Sequence, residues 1–231
     1  MHKITPIPQA IVDRVSKKHG STYCYANLNP KKTALIGIDL QNCFLTEELA
    51  SVYVPKAVDI IPNVNRLAAA VRETGGKVFW TQNTVDENTL HTWSNWFSTM
   101  KGGPEQVKHF IKNMSKGSQG YAIHPDVIVK AEDVAVSKQR FSAFIQGSSD
   151  LEERLHAQDI DTLIIAGTLT NVCCESSARD AMMLNFKIII VSDACAAITD
   201  EEHNASLLNI YTTFGDVMTT DFLVRCLYNS R

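Results

Sequence analysis

The segment 165–180, IAGTLTNVCCESSARD, holds the residues of this chain best suited to do chemistry. A β-branched apolar run ends at Gly167 and an amphipathic stretch starts within a few residues. The pattern therefore predicts a strand that passes through a tight turn into a helix, with Cys173 and Cys174 in its first turn. A thiol there faces partnerless backbone N–H groups and the positive end of the helix dipole, both of which favour thiolate. Two charged residues stand in related places: Asp39 ends the apolar run ALIGID, and Lys138 follows DVAVS. Neighbouring parallel strands lie about 4.8 Å apart, which would bring a cysteine, an aspartate and a lysine together at one rim. A carboxylate can take the thiol proton and an ammonium can hold the resulting charge, as nucleophilic catalysis requires. At about 4 Å and an effective dielectric near 20, one lysine–thiolate interaction is worth about 4 kcal/mol before desolvation; half of that would pull a thiol from about 8.5 to near 7. Each residue alone also has a plainer reading, since free cysteines are often small buried hydrophobes and a charge at a strand end can be a solvated cap. At this level either cysteine can be the nucleophile.

The elements that must position these residues alternate between short β-branched runs and longer amphipathic ones. Strands are expected at 34–39, 77–81, 133–137, 162–166, 187–192 and, more weakly, 216–219. Helices are expected at 57–73, 150–157, 172–184, 201–211 and 221–227. Right-handed crossovers between six parallel strands imply an α/β fold, a three-layer α/β/α sandwich of Rossmann-like type, with functional groups at the carboxyl ends of the strands. Residues 1–30 carry Pro6, Pro8 and Pro30 and read as an N-terminal arm around the domain or a neighbouring subunit. Residues 31–231 are expected to form the domain proper. Within it, 84–128 breaks the βαβ rhythm with Trp93, Trp96, Phe97 and several glycines, and is expected to be a partly helical excursion that caps the pocket or meets another subunit.

A chain of 231 residues, 45% hydrophobic and 20% charged, has ample material for one core. Its net charge of −3, without a long basic run, gives no reason to expect nucleic acid. No apolar run reaches the roughly 18 residues of a membrane span, and the first residues lack a signal peptide's apolar centre, so no membrane association and a cytoplasmic location are expected. The six cysteines are scattered with no CxxC pair and read as reduced thiols.

Three motifs in order, ALIGIDLQNCF, SKQRFSAF and AGTLTNVCCESSARDA, resemble the isochorismatase-like cysteine hydrolases, and more closely their ureidoacrylate amidohydrolase branch than the nicotinamidases. The resemblance spans about 33–224. It implies Asp39 as general base, Lys138 as cationic partner and Cys173, in the family's TNVC position, as nucleophile. It also implies a cis peptide at Thr168–Leu169, with the N–H groups of Leu169 and Cys173 as oxyanion hole. The nicotinamidases' metal-binding Asp-x-His and further His are replaced here by TQNTVDEN, so neither a metal nor another cofactor is expected. The implied reaction is hydrolysis of a C–N amide, ureido or carbamoyl bond in a small molecule through a thioester. Phe44, Gln82, Asn83 and Phe141 are the candidate substrate-binding residues, with Trp80 beside them and Trp93 or Trp96 closing over the site. Relatives of this kind assemble, and a homo-oligomer, dimer or tetramer, is expected. Two other readings stand against this one: a non-catalytic scaffold of the same fold, and a redox pair made of the adjacent cysteines.

Overall fold

The computed structural model describes residues 1–99 and 103–230; residues 100–102, inside the expected excursion, and Arg231 lie outside the described residues. The six strands are β1 (Thr33–Ile38), β2 (Lys77–Asn83), β3 (Val134–Lys138), β4 (Thr162–Thr168), β5 (Lys187–Ala196) and β6 (Asp216–Met218). All neighbouring pairs are parallel, in the order β3-β2-β1-β4-β5-β6. This is the doubly wound arrangement expected from the alternating pattern, with the chain reversing direction across the sheet between β1 and β4. The helices are α1 (Gln9–His19), α2 (Asn42–Leu45), α3 (Ile61–Glu73), α4 (Glu87–Thr92), α5 (Ser94–Thr99), α6 (Gly103–Met114), α7 (Leu151–His156), α8 (Glu175–Met183), α9 (Asp200–Asn209) and α10 (Thr220–Asn229).

Strand β1 is buried along its whole length because helices cover both faces of the sheet. Alternate residues divide between two cores. Leu35, Val78, Ile164 and Ile189 pack with α3 and α10 on one side; Ile36, Phe79, Ile165 and Ile190 pack with α7, α8 and α9 on the other. Each fully buried Ile or Leu contributes about 1.5–3 kcal/mol by leaving water. Helix α3 starts later than its apolar periodicity suggests, because Pro62 in its first turn lacks an N–H and presets the entry.

Trp80, expected at the pocket, belongs to the core instead. Its ring lies over its register partner Gly37, where a Cβ would come within 2.2 Å of the ring, and its indole N–H donates to Asp133 Oδ2 at 2.8 Å. The first thirty residues lie against their own chain. His2 Nδ1 donates to Asp200 Oδ1 at 2.7 Å, Thr5 N–H donates to Asn204 at 2.7 Å, and the Asp216 carboxylate accepts the N–H groups of Cys24 and Tyr25. The stretch after β2 forms the three short helices α4, α5 and α6, beside the carboxyl ends of the strands.

Candidate active site

Asp39 follows β1 in the left-handed region (φ 53°), and its N–H still pairs with Thr81 O at 3.1 Å. The strand is thus held in register while its next side chain turns across the sheet edge. Lys138 ends β3, which is separated from β1 by β2, so the expectation that the two end neighbouring strands needs correction. The four-carbon stem of the lysine spans the intervening strand, and Nζ reaches Asp39 Oδ2 at 2.7 Å with both side chains fully buried. Nζ also donates to Arg140 O at 3.0 Å, and Thr81 Oγ1 donates to Asp39 Oδ1 at 3.1 Å. Oδ2 has the ion pair but no hydrogen bond of directed geometry to a fixed donor. That oxygen is the one open to a proton.

Strand β4 brings the cysteines to the same edge because Gly167 lets it press against β1. Its φ is +126°, and a Cβ there would sit 2.1 Å from Ile38 O. Gly167→Ala is therefore expected to cost about 3 kcal/mol or more, from overpacking and left-handed strain together. A lower urea midpoint and lost activity would be read from the same preparation. Beyond Gly167 the Thr168–Leu169 peptide is cis, as the family resemblance implies. Residues Thr170–Cys174 then form a wide turn of π-helical form, and regular α-helix begins only at Glu175. The cysteines thus precede α8 rather than forming its first turn, since the cis bond and the wide turn use up the residues that a regular start would need. The turn is pinned from α9: Thr170 Oγ1 pairs with His203 Nδ1 at 2.9 Å, and Ser206 Oγ donates to Thr170 O at 3.2 Å.

The two thiols part at this turn. Cys173 lines a cavity of about 220 Å³ and interacts electrostatically with both Asp39 and Lys138. Cys174 is fully buried beneath it, beside the free thiol of Cys195, which donates to Ile165 O at 3.6 Å. Burial pushes the Cys173 thiol up to about 12, against the pull of Lys138. The expected fall to near 7 does not occur, because desolvation of the buried sulfur outweighs the lysine and the helix end together. Burial also raises Asp39 above the ordinary aspartate value, despite Lys138. For Lys138 burial works against the charge, but Asp39 and Cys173 more than offset it and its pKa is raised. The resting arrangement is a protonated thiol beside an aspartate–lysine pair.

Phe44, Asn83 and Phe141 line the cavity, as do both Trp93 and Trp96. Gln82 does not. Strand alternation turns it away from Asn83, and its amide donates to Tyr121 O at 3.0 Å. Asp86, from the TQNTVDEN stretch, is the N-cap of α4 and is held by Thr89 and Gln139. Among the described residues no group of three or more His, Cys, Asp or Glu side chains is placed to hold a metal. The polar lining residues Gln139, Asn171 and Glu202 were not anticipated, nor was Ile198. Gln139 directly follows Lys138 and Asn171 lies within the TNVC motif, a signal that was available. Glu202 carried only a T-x-x-E capping signature, which says nothing about a cavity. Gln41 was also missed; fully buried, it clamps the end of β2 by accepting Asn83 N–H at 2.7 Å and donating to Asn83 O at 3.1 Å.

Fold and site together define a doubly wound α/β domain with a cysteine, an aspartate and a lysine gathered at the carboxyl edge of its sheet. Residues 33–222 match the isochorismatase domain model, and the chain belongs to that family. It is 30% identical over 218 residues to a ureidoacrylate amidohydrolase of Acinetobacter baylyi, covering 88% of this chain and 87% of that protein. It is 32% identical over 209 residues to the ureidoacrylate amidohydrolase of Yersinia enterocolitica, covering 84% and 89%. Among solved structures it resembles a cysteine hydrolase from Pseudomonas syringae pv. phaseolicola with a TM-score of 0.76 and 26% identity, covering 89% and 96%.

Proposed function

We propose that this chain hydrolyses the C–N bond of a small amide, ureide or carbamoyl compound, with Cys173 as nucleophile and a thioester as intermediate. The observation that carries the reading is the contact of Cys173, at the cavity wall, with the buried Asp39–Lys138 pair. The amidohydrolase names of the bacterial relatives support the bond type.

When a substrate carbonyl occupies the cavity, Asp39 accepts the thiol proton as Sγ attacks the carbonyl carbon. Lys138 holds the charge of the developing thiolate, which burial alone would forbid. The N–H groups of Leu169 and Cys173 receive the oxyanion, a contribution of about 3–4 kcal/mol for a well-aimed donor. Asp39 then returns the proton to the leaving nitrogen, the C–N bond breaks, and the acyl group stays on Cys173. A water that gives its proton to Asp39 attacks the thioester and releases the acid and the free thiol. No cofactor enters this scheme. Assembly as a homo-oligomer and a cytoplasmic location belong to the same proposal; no described helix is long and apolar enough to cross a membrane.

Ammonia release from a panel of primary amides, ureides and carbamoyl compounds tests the reading, with the acyl-enzyme trapped by acid quench and weighed. The pH profile adds a signed expectation. Asp39 must be ionised to accept the proton, and its folded pKa is raised, so kcat/KM falls as pH drops through a value above the ordinary 3.9 or so. Lys138 is raised as well, so its charge persists to at least the ordinary lysine range and causes no loss below it. An acidic limb at or below the ordinary aspartate value would remove Asp39 as the base.

A further inference from the structure

The cavity above Cys173 has a one-sided chemistry. Its wall is built from Phe44, Trp93, Trp96, Phe97, Phe110 and Phe141. Trp93 stacks on Trp96 with centroids 4.9 Å apart, and Phe141 meets their edges at 4.9 and 5.7 Å. Rings packed on one another in this way form a continuous, preformed apolar surface. The polar groups on the lining are the neutral amides of Asn83, Gln139 and Asn171, and the carboxylate of Glu202. Asn171 Oδ1 is buried without a hydrogen-bond partner, an acceptor suited to a substrate N–H.

Among the described lining residues there is no Lys, Arg or His. Lys138 is enclosed and committed to Asp39 and Arg140 O. The Arg140 guanidinium is occupied elsewhere: it donates to Gln139 O at 2.7 Å and Thr92 O at 3.1 Å and lies over the Trp93 ring at 5.1 Å. Glu202 is fixed in place because its Oε2 accepts from Thr199 N–H at 3.0 Å and Thr199 Oγ1 at 3.2 Å, completing the capping box of α9.

Resting on the amidohydrolase reading of the site, we propose that the substrate is a small amide whose remaining part is a flat apolar group without a carboxylate. An anionic substituent would have to shed its water against aromatic rings and share the cavity with a carboxylate, with no cation among the described lining residues to offset either cost. A neutral ring instead finds edge and face contacts on most sides. This separates the chain from relatives whose name specifies an acrylate, which is an anion at neutral pH.

The test uses a matched pair of probes, 4-methylbenzamide and 4-carboxybenzamide, titrated calorimetrically into the Cys173→Ala protein, which keeps the cavity but lacks the nucleophile. The neutral probe is expected to bind at least tenfold tighter. Trp96→Ala in the same background should weaken it by about tenfold. Glu202→Gln, which preserves the capping box, should narrow the gap between the two probes. Equal or tighter binding of the carboxylate probe overturns the proposal, and so does measurable binding of neither. Ammonia release by the unmodified protein reads the underlying function separately. Cys173-dependent turnover of the carboxylate probe alone leaves the amidohydrolase reading standing and overturns this one. A neutral-probe preference with no turnover of any amide keeps the apolar selectivity and removes the hydrolase reading beneath it.

Discussion

Cys173→Ala is expected to lower amide turnover by at least about 10⁴-fold, while the protein remains folded. The substitution removes the proposed nucleophilic sulfur from the cavity wall, yet it leaves the Asp39–Lys138 pair intact and takes one small thiol from the core. Loss of that little volume costs about 1 kcal/mol, too small to confuse with unfolding. The matching Cys174→Ala protein should keep turnover within about tenfold, because that thiol is fully buried and does not line the cavity. Initial rates of ammonia release, read beside urea unfolding midpoints, check both. If the Cys174 variant alone loses activity, the nucleophile has been assigned to the wrong sulfur.

The second large effect separates stability from activity. Asp39→Asn strands the Lys138 ammonium in a fully buried place without its counter-charge, and is expected to cost about 3–5 kcal/mol of folding stability as well as nearly all turnover. Lys138→Met should be milder for stability, because Asp39, already raised by burial, can take up a proton and become neutral. The double variant Asp39→Asn/Lys138→Met removes both charges and should return to within about 2 kcal/mol of the unmodified protein. Its activity should not return. Chemical denaturation of the four proteins, with turnover measured on each, closes the cycle. A double variant as unstable as the sum of the two single ones would show that the pair has no mutual energetic role.

Much of the site was legible because its residues sit where a pattern changes. Asp39 is the first charge after ALIGI, Lys138 the first after DVAVS, and Cys173 falls where a strand period gives way to a helical one. The residues misjudged lie inside elements, where period alone decides facing. Gln82 and Trp80 share one parity of β2 and point away from Asn83, so a single strand boundary read correctly would have removed both from the pocket. The thiol's acidity was misjudged for another reason. The pull of a lysine or a helix end can be anticipated along the chain, but desolvation depends on everything that closes over the sulfur, and here it dominates.

The linear chain by itself determined the alternation of elements, and with it the parallel sheet and the rim to which the charged and sulfur-bearing residues are delivered, because side-chain period and crossover handedness are local properties. The strand order was a tertiary decision: β2 lies between β1 and β3, so Lys138 must reach across a strand to meet Asp39. So was the parting of Cys173 from Cys174, which differ by one residue and end in different environments. Trp96 and Glu202 stand more than a hundred residues apart and line one cavity. Such meetings depend on how layers pack and which water they exclude, and no local rule of spacing encodes that.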